Sequence, residues 1–69
     1  MDSQDKERFC INITEEWIKQ GVSLTHLSIK TGISVQTLMQ IRRNSVKPTE
    51  LTCMKLCKAL GVRPMEMIR

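Results

Sequence analysis

Between Leu24 and Arg43 the chain reads LTHLSIKTGISVQTLMQIRR, with apolar positions spaced for two short helices meeting at a corner. Leu27, Ile33, Leu38 and Ile41 fall on the inside of that corner, and Ser28 is small enough for the helices to cross closely. Ser23 stands where it can cap the first helix by accepting from the free amides of the opening turn. Gly32 follows Thr31 where a left-handed residue would end that helix, a conformation glycine takes without strain. Ser34 can then cap the second helix, which starts only two residues after the break. The spacing predicts a helix-turn-helix.

Helical periods continue on both sides. Phe9, Ile13 and Trp17 recur at four-residue spacing and predict a helix from about Asp5 to Gln20, ended by Gly21. Cys53, Leu56, Cys57 and Leu60 form a second stripe, after a Thr49 cap that follows Pro48 and before a stop at Gly61. Pro64 suits the first turn of a short last helix holding Met65, Met67 and Ile68. The chain as a whole reads as an all-α bundle.

The face of the second corner helix turned away from Leu38 and Ile41 carries Gln36, Met39, Gln40 and Arg43, flanked by Val35 and Thr37, and no carboxylate occurs from Ser34 to Arg43. A glutamine can bond adenine N6 and N7 together, an arginine guanine O6 and N7, and a valine can pack on a thymine methyl. A carboxylate here would meet the phosphate field, so its absence fits DNA. The alternative is a polar surface helix of any small bundle.

On these residues the chain resembles the Cro/C1-type helix-turn-helix regulators of phages and bacteria, from about Gly21 to Ile68. VSLTHLSIKTGISVQTLMQI corresponds to the family's helix 2, turn and helix 3, Lys47-Pro48 to the loop before helix 4, and LCKALGVRPMEMI to its ending. The joint presence of Leu27, Gly32, Ile33, Leu38, Ile41, Pro48, Leu60 and Gly61 carries the likeness, which is to small stand-alone members. The resemblance implies a compact five-helix bundle of the lambda-repressor-like DNA-binding type, with helix 3 (about residues 34–43) in the major groove. It implies base contacts at Val35, Gln36, Thr37 and Gln40. Backbone contacts are implied at Thr25, Ser34, Arg43, Asn44, Ser45 and Lys47. Two positions depart from the pattern. Leu24 stands where many members have a glutamine that grips phosphate and braces the recognition helix. Glu16 stands where a leucine usually enters the core, which leaves two alternatives: Trp17 does that packing, or the first helix is offset.

Sixty-nine residues suffice for one small core, so residues 1–69 are expected to form a single domain. The start, MDSQDKER, is too polar for a signal peptide, and no run approaches the roughly 18 apolar residues of a membrane span. A soluble, cytoplasmic protein of a bacterial cell, phage- or mobile-element-encoded in one reading, is the expectation. Three cysteines, an odd number, make no disulfide framework. Cys53 and Cys57 share the inner side of their helix and read as small hydrophobes. The sharper idea, a thiol or metal sensor with His26 as a further ligand, finds no C-x-x-C in support. With one histidine, no Ser-His-Asp order and no glycine-rich phosphate loop, no enzyme, cofactor, metal or small-molecule ligand is expected.

Charge is more telling by position than by its total of +4. Residues 1–16 hold five acids and two bases, a net −3, whereas residues 17–69 hold nine bases and two acids, Glu50 and Glu66, a net +7. The basic excess covers the helix-turn-helix and its flanks, as contact with phosphate would require. The acidic start of the first helix is expected to point away from the DNA.

Several apolar residues fall outside the inner stripes: Ile11 and Ile18 on the first helix, Leu51 and Met54 on the fourth. Together with the methionine-rich C-terminus they suggest a partner surface, unless the fifth helix covers some of them. The expected partner is a second copy of the chain, meeting through Leu51, Met54, Met65, Met67 and Ile68, since the acids around Ile11 and Ile18 would repel one. The expected function is a sequence-specific double-stranded DNA-binding transcriptional regulator, a repressor, working as a homodimer on a near-palindromic operator. The alternative is a protein-interaction module, an antitoxin or adaptor, in which the outer face of helix 3 meets protein instead.

Overall fold

In the computed structural model, which describes residues 2–69, five helices follow in chain order. They are α1 (Ser3–Gln20), α2 (Leu24–Thr31), α3 (Val35–Arg42), α4 (Glu50–Leu60) and α5 (Pro64–Met67). The expected caps are formed: Ser23 Oγ accepts from His26 N–H, Ser34 Oγ from Thr37 N–H and Thr49 Oγ1 from Thr52 N–H. Gly21, Gly32 and Gly61 end their helices in the left-handed region.

Two helix ends differ from expectation. α1 begins at Ser3 rather than Asp5, because the Asp2 carboxylate caps it, accepting from Asp5 N–H at 2.8 Å. The first turn is polar throughout, so hydrophobic spacing could not mark it. α3 ends at Arg42 and is closed, just beyond the Arg43 cap, by Asn44, which takes a left-handed φ of 57° without being glycine. Asn44 N–H donates to Ile41 O at 3.0 Å and Ser45 N–H to Gln40 O at 2.9 Å, the bond pair that closes a helix on a left-handed residue.

The core gathers Phe9, Cys10, Ile13 and Trp17 from α1, Leu27 from α2, Ile33 from the turn, and Leu38 and Ile41 from α3. Cys53, Leu56, Cys57 and Leu60 from α4 and Met67 from α5 complete it. α1 lies against α3, α4 and α5, while α2 packs on α3 and α4. The alternative left open at the first helix is resolved in favour of Trp17. Its ring is 4% exposed and its Nε1–H donates to Val22 O at 2.6 Å. Glu16 stays half-buried beside it and accepts from Gln20 Nε2.

Met67 requires a correction. Expected on a partner surface, it is 7% exposed and belongs to the chain's own core. The Asn12 side-chain amide donates to Met67 O at 2.7 Å, which draws α5 across α1 and turns that residue inward. Ile68 is half-buried against the same core, whereas Leu51, Met54 and Met65 are exposed. Among the described residues, no helix is long and apolar enough to cross a membrane.

Candidate nucleic-acid interface

The angle between α2 and α3 is fixed by hydroxyls as well as by packing. Ser28 Oγ donates to Ile33 O at 2.6 Å, and Thr31 Oγ1 donates to Leu27 O at 2.7 Å while accepting from Ile33 N–H. Ser28 is thus more than a small residue at a crossing: its hydroxyl ties the turn to the helix before it. With Leu38 and Ile41 buried beneath, α3 cannot rotate, and its remaining side chains have assigned directions.

Val35, Gln36, Met39 and Gln40 are exposed on α3, and Thr37 is half-buried. The Thr37 hydroxyl accepts from Ser34 Oγ at 2.8 Å, so both residues serve the helix start. Among the described residues, no hydrogen bond occupies the side-chain amide of Gln36 or Gln40. A buried or self-paired amide would have little to offer a ligand; these two retain their full donor and acceptor capacity.

Thr25 is exposed in the first turn of α2. Arg43, Asn44, Ser45 and Lys47 are exposed along the segment leaving α3. The Ser45 hydroxyl donates to Gln40 O, and the Lys47 ammonium donates to Ser3 Oγ. Glu7 lines the same cleft as Asn44, Ser45, Val46 and Lys47. The acidic start of α1 therefore lies beside this loop rather than remote from it. The Cys10 thiol, which donates to Val46 O, helps to hold the two segments together.

At the other end of the surface, the Arg42 guanidinium lies 5.8 Å from the centroid of the Trp17 ring. Leu24, Met39, Arg42 and Arg43 line a cleft between the start of α2 and the end of α3. Leu24 packs partly into the core there and presents no polar group to the cleft. Arg42 is not among the contacts expected from the sequence. Its doublet with Arg43 is visible there, but its place over a ring 25 residues earlier is not.

The three cysteines are free and buried, and burial pushes the Cys53 and Cys57 thiols up to about 11. Among the described residues, no group of three His, Cys, Asp or Glu side chains is placed to hold a metal ion.

The family model of the Cro/C1-type HTH DNA-binding domain matches residues 12–69, from the middle of α1 through α5. The chain belongs to the Cro/C1-type helix-turn-helix family. It is thereby a DNA-binding regulator whose ligand is double-stranded DNA. Comparison with curated proteins and with solved structures gives no match. Within the Cro/C1-type domain, the matched span includes α2, the turn and α3 in full, together with Trp17 and Arg42.

Proposed function

We propose that this Cro/C1-type domain is a sequence-specific transcriptional regulator, a repressor in a bacterial or phage setting, that reads the major groove with the outer face of α3. One observation carries the reading. Gln36 and Gln40 stand one turn apart with free amides, on the exposed face of a helix whose opposite face is locked in the core. Neutral amides at that spacing suit adjacent base edges, with Val35 against a thymine methyl and Thr37 beside them. Thr25, Ser34, Arg43, Asn44, Ser45 and Lys47 flank this face and supply backbone contacts that set its register.

The working unit in this proposal is a homodimer. Leu51, Met54 and Met65 are 62%, 61% and 81% exposed, and an apolar groove runs between α4 and α5 past Met54, Met65 and Ile68. A second copy placed there would let two α3 helices enter successive major grooves, with half-sites about 34–36 Å apart. The patch falls short of an obligate interface, so DNA completes the dimer.

Selection from a pool of random duplexes tests the function. A consensus with two-fold symmetry is the expected result. Binding that depends on salt but not on sequence would overturn specific readout. No binding at low salt would leave the scaffold to a protein partner.

A further inference from the structure

We infer that Arg42, held over the indole of Trp17, is a DNA-phosphate ligand at the α2–α3 cleft. The inference rests on the reading of α3 as the groove-facing helix and adds to it a site on the flank of that helix.

The ring beneath Arg42 is fixed. Trp17 is buried among the core residues of α1, and its Nε1–H holds Val22 O in the segment that leads to the Ser23 cap. A guanidinium held over such a ring, 5.8 Å from its centroid, keeps its N–H edges available. The ring favours one placement of the guanidinium before any ligand arrives, so less side-chain freedom is left to lose on binding. Among the described residues, no carboxylate pairs with Arg42 or with Arg43, and the Arg42 side chain is exposed.

The surroundings select the ligand. Leu24 and Met39 give the cleft an apolar wall, Arg42 and Arg43 give it two cations, and no acid lines it. An apolar wall beside an ion pair keeps water away and strengthens the attraction. One negative charge flanked by an apolar sugar edge, which is a backbone phosphodiester, matches that lining. Successive residues of a helix are turned by about 100°, so Arg42 and Arg43 face different directions and extend the contact along the strand. Had Arg42 only the task of covering Trp17, a neutral or aliphatic residue would serve as well.

The test uses the full chain and a short duplex of random sequence. Trp17 is the single tryptophan and there is no tyrosine, so emission reports on the ring under Arg42. The duplex should change the emission of the wild type and of Lys55→Ala, an exposed cation on α4, but not that of Arg42→Ala. The slope of log affinity against log salt should fall by about one unit in Arg42→Ala. Arg42→Lys should retain the slope and bind several-fold more weakly, because an ammonium stacks poorly. Arg42→Gln keeps the stem over the ring and should lose the slope as well, which separates lost charge from a loosened fold. Wild-type slope and emission response in both Arg42→Ala and Arg42→Gln would overturn the inference and leave the reading of α3 standing. Wild-type protein that binds no duplex at low salt would overturn both.

Discussion

At the turn, Gly32 has a φ of 76°, and a Cβ added there would meet no atom within 4 Å. The demand for glycine is therefore conformational, not a matter of space. Gly32→Val should destabilise the domain by more than about 1 kcal/mol, because a β-branched residue is strained at positive φ. Thermal melting checks this, and an unchanged melt would place residue 32 outside the left-handed region. The thiols give a second prediction. With the Cys53 and Cys57 thiols raised to about 11 from an ordinary 9.0, they stay protonated in the folded chain while those of the unfolded chain ionise. Stability from this source is intact below about pH 9 and is lost as pH rises towards 11. The melting temperature should fall through that window, and the double substitution Cys53→Ala with Cys57→Ala should flatten the fall.

Among the elements, α3 owes its orientation to two residues. Leu38 and Ile41 are almost wholly buried, so Leu38→Ala and Ile41→Ala should each cost about 2–5 kcal/mol by denaturant unfolding. Losses below 1 kcal/mol would mean that the helix is not anchored through them. Helix periods, serine and threonine caps and glycine stops were all readable in the chain, since each is a local signal. What escaped that reading depends on contacts between distant segments. Cys10 enters the core beside α4, Asn12 turns Met67 inward from 55 residues away, and Lys47 reaches back to Ser3. The left-handed Asn44 was hidden for a different reason, because asparagine also occurs throughout loops and does not announce a helix end as glycine does. The direction of each α3 side chain followed from its 3.6-residue period, but the pairing of Arg42 with Trp17 required the packing of α1 against α3.

For the whole molecule, the basic and acidic parts of the chain are neighbours in space as well as in sequence. Glu7 and Ser3 stand beside the Asn44–Lys47 loop, and the Lys47 ammonium, with three donors, has two left for phosphate beside its bond to Ser3. The exposed apolar groove between α4 and α5 lies on different elements from the reading face, which leaves room for a second copy. Sedimentation of the operator complex should show two protomers per duplex, with Met54→Glu weakening binding; one protomer per duplex would remove the dimer. The most direct test of the central claim is a ratio: the affinity for a selected duplex over that for a scrambled one, at equal salt. The wild type should show a ratio of at least about 10³. Gln36→Ala and Gln40→Ala should each lower it by about 1–3 kcal/mol, roughly 5- to 150-fold, with scrambled-duplex affinity nearly unchanged. A ratio indifferent to both glutamines would contradict the assignment of α3 as the reading helix.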